Sequence, residues 1–275
     1  MRSSNIPVDR QLATTRRAFD NVAEEYDGPL GNNALIQRMR QQLWASVIGR
    51  FPGGARLLDL GCGTGLDAVY LARRGYDVLA TDWSPRMVER TQERAAFQGI
   101  ADRVEARVLG IQELAQLGSE KFDGVYSNLG PLNCVPDLAS VADTCADHLN
   151  DRGQFVASVI GRVCPWELAY FTARRRPTRA QVRYHLNPVP VSLGVETIWT
   201  RYYTPGEFYM HFADRFVLTD YRALSLFLPP PYLVHLYDRL GLFGRLLGYL
   251  DDTLAGWPVF RNVGDHFLMV LTRRD

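Results

Sequence analysis

One stretch constrains this chain more than any other: Leu57-Leu58-Asp59-Leu60-Gly61-Cys62-Gly63-Thr64-Gly65. An apolar run that reads as a buried strand enters three glycines at alternate positions, and a helical pattern begins at Leu66. Glycine adopts backbone angles that other residues avoid and has no side chain to hold a ligand away. Such a turn therefore lets the main chain lie close to a bound molecule. Strand, glycine turn and helix in that order begin a parallel βαβ unit, because parallel strands need a helical crossover.

The flanking sequence repeats the alternation. Residues 56–60, 77–81, 104–108, 122–127 and 154–160 read as strands. Helical spacing covers 33–50, 66–74 and 137–149, and a further helix at 84–97 opens with Ser84 as cap and Pro85 in the first position. After Gly161 the alternation stops. Residues 161–203 are rich in Arg, Tyr, Trp and Pro and show no clean period. Thr204-Pro205-Gly206-Glu207 has the form of a capping box for a short helix to about 213. Residues 216–221 and 266–271 supply a sixth and a seventh strand, and 226–262 between them are apolar and largely helical.

Two ligand classes compete for the glycine turn. A dinucleotide fingerprint, G-x-G-x-x-G, counted from Gly61 and Gly63, needs glycine at position 66, which is Leu66. The pattern here is D-x-G-x-G-x-G instead. It resembles the cofactor motif of the class I S-adenosylmethionine-dependent methyltransferases, in particular the small-molecule and quinone-type members. Three further segments carry the resemblance. Asp82 follows the second strand where the family binds the ribose, and an ionised acceptor makes the stronger kind of hydrogen bond. Residues 18–27, Ala-Phe-Asp-Asn-Val-Ala-Glu-Glu-Tyr-Asp, look like the family's F-D-x-x-A-x-x-Y-D segment, which folds over the cofactor with its Tyr, here Tyr26, as a lid. Residues 122–130 resemble the fourth strand that borders the transferring methyl. One departure is Gly110, which stands where the family often has an acid contacting the adenine amino group.

The resemblance implies a Rossmann-like, doubly wound α/β fold with a seven-stranded, mostly parallel sheet. Its divisions are an N-terminal lid (1–31), a core (32–160), a first cap insertion (161–203), more core (204–225), a second cap insertion (226–262) and a last strand (263–275). S-adenosylmethionine is the implied cofactor. Its implied contacts are Tyr26, Asp59, Gly61, Cys62, Gly63, Gly65, Asp82, Trp83, Met87, Ile111, Gln112, Ser127, Asn128 and Leu129. Methyl transfer from a sulfonium is mainly a matter of alignment, and a base serves only an acceptor that must lose a proton. Among His185, His211, His235, His266, Glu167 and Tyr202, the cap residues His185 and Tyr202 rank first as catalytic candidates. Asn133, Trp166, Tyr170, Trp199 and Tyr203 are the expected substrate contacts.

Composition narrows the partners. A net charge of +1 over 275 residues points to neither nucleic acid nor an anionic membrane. The basic run Arg174, Arg175, Arg176, Arg179 and Arg183 reads as a solvated face, with an RNA contact as the alternative. Cys62, Cys134, Cys145 and Cys164 are scattered without metal-ligand spacing, so no metal is expected. The start of the chain lacks a signal-peptide pattern and no run is long enough to span a bilayer, which points to a cytoplasmic protein without stable membrane insertion. The aromatic and aliphatic content of the two insertions suits a roof over a small apolar metabolite with an O, N or C acceptor. Burial of the insertions against each other, or in a homodimer, accounts for the same residues. RNA or protein methylation, or a non-methylating S-adenosylmethionine-binding relative, are the remaining readings.

Overall fold

The computed structural model describes residues 7–29 and 31–275. Residues 1–6 and 30 of the expected lid lie outside them. In chain order the elements are α1 (Val8–Val22), α2 (Ala34–Ile48), β1 (Arg56–Leu60), α3 (Leu66–Ala72), β2 (Asp77–Asp82) and α4 (Pro85–Phe97). There follow β3 (Val104–Val108), β4 (Phe122–Ser127), α5 (Leu138–His148), β5 (Leu149–Ile160), α6 (Pro165–Ala173) and α7 (Pro177–Ala180). The chain ends through β6 (Val189–Leu193), β7 (Glu196–Thr200), α8 (Pro205–Met210), β8 (Phe216–Leu224), α9 (Val234–Leu254) and β9 (His266–Arg273).

Among the described residues seven strands form one sheet in the order β3-β2-β1-β4-β5-β9-β8. Pairing is parallel from β3 through β5, and β9 runs antiparallel to both its neighbours. The apolar runs of β1 and β2 make sense because both faces are covered. Leu57 packs with Val78 and Ala80 under Met39 and Leu43 of α2 and Ala68 and Leu71 of α3. Its neighbours Leu58 and Leu60 face the other way, toward Val141 and Cys145 of α5 and Phe208 of α8. Helix starts follow local chemistry. The Asn33 side chain accepts from the amides of Leu35 and Ile36, Ser84 from Met87, and Thr204 and Glu207 form the expected capping box. Strand order reverses between β1 and β4, and ligands bind outside the carboxyl ends of strands at such a reversal.

Three regions differ from the sequence reading. The turn expected at 151–153 is a bulge inside β5, which starts at Leu149, pairs with β4 on both sides of the irregularity, and holds Arg152 at φ 57°. The stretch 161–203 is structured: it holds α6, α7 and an antiparallel hairpin, β6 with β7, turned at Gly194 (φ 60°). Alternation at Val189, Val191 and Leu193 was its signal, masked by Pro190, which a two-stranded ribbon tolerates. Helix α9 breaks at Gly241 and then turns Gly244, Gly248 and Asp251 inward, leaving Leu242, Phe243, Leu246 and Tyr249 exposed. No helix among the described residues is long and apolar enough to cross a membrane.

Candidate functional site

A cavity of about 230 Å³ opens at the carboxyl ends of β1, β2 and β4, and the glycine turn forms its floor. The turn is held from two sides. The amides of Gly61 and Cys62 both donate to the Thr81 carbonyl at 2.9 Å, and the Ser127 hydroxyl donates to the Leu60 carbonyl at 2.8 Å. The three glycines have different reasons to be there. A Cβ on Gly61 would sit 2.5 Å from Pro131, and one on Gly65 2.7 Å from Thr91, so both are fixed by protein packing. At Gly63 the nearest atom would be Tyr26 Cε1 at 3.8 Å, on the cavity wall, so a side chain there would enter the cavity itself.

Asp82 stands at the end of β2. Its two carboxylate oxygens accept from the Gly63 and Ser84 amides, each at 2.9 Å. Burial pushes its carboxyl up to about 6, although these amide bonds pull the other way. Trp83, Ile111 and Gln112 line the cavity beside it.

The N-terminal segment closes one side. Residues Leu12, Thr15, Arg16 and Phe19 of α1 recur at helical spacing and line the cavity with Tyr26. The two aspartates of the F-D-x-x-A-x-x-Y-D pattern act as anchors. Ser84 Oγ donates to Asp20 at 2.5 Å, Thr64 Oγ1 donates to Asp27 at 2.8 Å, and Arg94 pairs with Asp27. This segment is therefore tied both to the glycine turn and to the start of α4.

A polar network on the opposite side was not foreseen. Asp67, in the first turn of α3, pairs with Arg40 of α2 and accepts from Trp44 Nε1 at 2.7 Å and from Asn128 Nδ2 at 3.1 Å. Ser158 Oγ donates in turn to Asn128 at 2.7 Å and accepts from the Leu129 amide at 2.7 Å. Arg40 and Asp67 both line the cavity, and Arg40 is buried. Only the buried face of α2 places an arginine here, and helical spacing alone marked that face as core.

The cavity brings together Tyr26, Gly61, Cys62, Gly63, Asp82, Trp83, Ile111, Gln112, Asn128 and Leu129 of the expected cofactor contacts. It does not include Asp59, Gly65, Met87 or Ser127. Asp59 and Met87 are buried in the core, Gly65 packs on Thr91, and Ser127 spends its hydroxyl on β1. Burial and the neighbouring Asp67 hold the Asp59 carboxyl well above the usual carboxylate range.

The expected catalytic and substrate residues lie off the cavity lining. His185 is exposed. Tyr202 sits against the Arg183 guanidinium, 5.2 Å from its ring centre. Tyr203 is a core residue packed edge-on to Phe208. Asn133 is a buried clamp: its amide donates to the carbonyls of Ile160 and Arg201 and its oxygen accepts from the Ile160 amide. Trp166 donates to the Phe227 carbonyl at 2.8 Å, and Tyr170 packs on Phe171 and Arg174. Trp199 lies between Ile198 and Thr200, which line the cavity, and a strand turns successive side chains to opposite faces. The first insertion thus contributes Leu193, Ile198 and Thr200, whereas no residue of 226–262 lines the cavity. The second insertion packs instead on α2 and on the first insertion, through Arg38 with Asp252 and Tyr232 with Glu167.

Nor is the arginine run one solvated face. Arg183 is buried, and its guanidinium pairs with Glu167 at 2.7 Å and Asp265 at 2.6 Å. These two carboxylates and Cys164 form a trio with donor atoms within 4.8 Å, the separation that a metal site needs, but Arg183 already supplies the cation. His266 is the partner of Asp265 at 2.9 Å, a satisfied core histidine.

Comparison with known proteins agrees with this geometry. Residues 57–153 match the family model described as a methyltransferase domain. A ubiquinone biosynthesis O-methyltransferase of Xylella fastidiosa is 36% identical over 109 residues, covering 40% of this chain and 43% of the relative. The chain thus spans less than half the length of that relative. Among solved structures, a geranyl diphosphate C-methyltransferase from Streptomyces coelicolor superposes with TM-score 0.60 at 15% identity, covering 99% of this chain and 100% of the other. A 1,6-didemethyltoxoflavin-N1-methyltransferase from Burkholderia thailandensis gives 0.61 at 17% identity, covering 100% and 94%. At these identities the structural likeness speaks for the fold.

Proposed function

This chain carries a methyltransferase domain with the class I S-adenosylmethionine-dependent fold, and on that premise we propose that it methylates a small, largely apolar metabolite. One observation carries the reading. The cavity has a glycine cradle and a buried carboxylate at one end, and walls of Leu12, Phe19, Val135, Ile160, Leu193 and Ile198 elsewhere. A mostly apolar pocket with a few polar groups is how small-molecule sites are built.

The residues fit the cofactor. Gly63 leaves the space that a ligand lying on the turn requires, and Asp82 offers two acceptor oxygens for a ribose diol. Trp83 and Ile111 offer apolar surface for the adenine, with Gln112 at its edge, in place of the acid missing at position 110. Arg40, already paired with Asp67, adds a buried guanidinium to the lining that the amino-acid carboxylate would share. When bound, S-adenosylmethionine supplies an activated methyl on a sulfonium. The protein's part is to hold the acceptor in line and to keep water out, which α1 and the β6–β7 hairpin do by covering the cavity.

An oxygen acceptor is supported by the name of a curated relative, an O-methyltransferase of ubiquinone biosynthesis. Calorimetry with S-adenosylhomocysteine tests the cofactor half. Asp82→Ala removes an ionised acceptor and should weaken binding by roughly 10- to 100-fold, since such bonds are worth about 1.5–3 kcal/mol. Gly63→Val should abolish it. Wild-type affinity in both variants would sink the reading.

A further inference from the structure

Among the described residues that line the cavity, one charge has no partner. Arg16, on α1, lines it together with Leu12, Thr15 and Phe19, and no ion pair or hydrogen bond among the described residues engages the Arg16 guanidinium. Every other charged group on the lining is matched. Arg40 pairs with Asp67, and Asp82 accepts from two backbone amides. The neighbours of Arg16 place it toward the acceptor side. Thr15, next to it, accepts from the Trp199 amide of β7 at 3.4 Å, and the residues on either side of Trp199, Ile198 and Thr200, form the wall. An arginine without a partner on the lining of a largely apolar chamber offers a site for an anion.

Among the described residues the same chamber has no base. No histidine lines it, and its carboxylates are Asp67 and Asp82, both engaged. The Cys134 thiol is pushed up to about 11 by burial and is neutral at pH 7. An alcohol that had to lose a proton during the reaction would find no group to take it. An acceptor that arrives ionised needs none. Its oxygen lone pair forms the new carbon–oxygen bond, the sulfur–carbon pair stays on sulfur, and the negative and positive charges cancel with no proton to place.

We propose that Arg16 is a specificity residue and that the acceptor is an apolar molecule carrying an acidic oxygen, a phenolate, enolate or carboxylate, held by this guanidinium. The inference rests on the methyltransferase reading above.

The test uses two probes of similar shape, 2-naphthoate and the neutral 2-naphthalenemethanol. Both are titrated calorimetrically into protein saturated with S-adenosylhomocysteine. Wild type should bind naphthoate at least about tenfold more tightly than the alcohol. Arg16→Gln should lose that preference while keeping its affinity for the alcohol and for S-adenosylhomocysteine, and Arg16→Lys should recover part of it. Three results would overturn the proposal: no anion preference in wild type, whether both probes bind or neither does; a preference retained in Arg16→Gln; or an Arg16→Gln protein that loses S-adenosylhomocysteine, which would give the arginine to the cofactor. Failure of the underlying reading shows separately, as wild-type protein that binds no S-adenosylhomocysteine at all, and that result overturns both.

Discussion

At the scale of single residues, the glycine turn separates roles that its sequence presents as equal. Gly61 has φ 75° and Pro131 against it, so Gly61→Ala should cost stability: about 1–2 kcal/mol for the backbone angle, plus the clash. Gly63→Ala carries a similar angle penalty (φ 54°) but meets open cavity, so its main effect should be on S-adenosylhomocysteine affinity. Urea unfolding and calorimetry on the two variants would separate these effects; equal loss of binding at equal stability would contradict the assignment. Asp82 makes a pH prediction with two signs. Its carboxyl, raised to about 6, is ionised at pH 7.5 and mostly protonated at pH 5. Protonation removes an acceptor, so affinity should fall as pH drops through 6. The folded state also binds more protons than the unfolded state between the ordinary carboxylate value and 6, so this group's contribution to stability without ligand moves the other way, rising as pH falls. Melting curves with and without S-adenosylhomocysteine should therefore show a ligand-induced shift that is smaller at pH 5 than at pH 7.5. A constant shift would argue against Asp82 as the titrating contact.

At the scale of elements, α1 is the piece expected to respond to a ligand. Helix α1 and the turn after it meet the rest of the molecule through polar anchors, Asp20 with Ser84, Thr15 with Trp199, and Asp27 with Thr64 and Arg94, through the buried Ala18, and through a face of Leu12, Arg16 and Phe19 on the cavity. Segments held by few buried apolar contacts open at low free-energy cost. A ligand filling the cavity supplies the missing contacts, so proteolysis near Gly28 should be rapid without ligand and suppressed by S-adenosylhomocysteine. Asp27→Asn weakens the link to Arg94 and should speed cleavage in the ligand-free protein. Equal cleavage with and without ligand would count against a lid. The hairpin makes the complementary point about what a sequence displays. Its alternation at Val189, Val191 and Leu193 went unread because Pro190 interrupts it, and which face meets the cavity followed only from its packing on α1, which turns Ile198 and Thr200 inward and Trp199 away.

At the scale of the whole molecule, one buried cluster joins three parts of the chain. Arg183 and Glu167 come from the first insertion, Tyr232 from the second, and Asp265 and His266 from the start of the last strand. Burial alone would raise the Asp265 carboxyl, but Arg183 and His266 hold it well below the usual range. Arg183→Met leaves two buried carboxylates without their cation, and breaking such a pair costs roughly 3–5 kcal/mol. Chemical denaturation should show that loss, accompanied by loosening of both insertions. A change below about 1 kcal/mol would mean that the cluster reorganises at little cost.

Sequence alone determined the sheet core and one end of the site. The strands from β1 to β4, the caps at Ser84 and Thr204, the glycine cradle and Asp82 are all local patterns, encoded by residues a few positions apart. Tertiary structure decided the other end. Nothing in the sequence singled out Arg40 or Arg16, which α2 and α1 set against the cavity; Asn133 is clamped between Ile160 and Arg201 and Tyr203 packs edge-on to Phe208, so neither of these expected substrate contacts lies on the lining. The aromatics of the two insertions divided in the same way. Composition shows that such residues must be buried, but not against what, because burial is non-directional and roughly proportional to area. The choice between lining a cavity and packing one insertion on the other lies in contacts such as Trp166 with Phe227 and Tyr232 with Glu167, whose partners lie more than sixty residues apart in the chain.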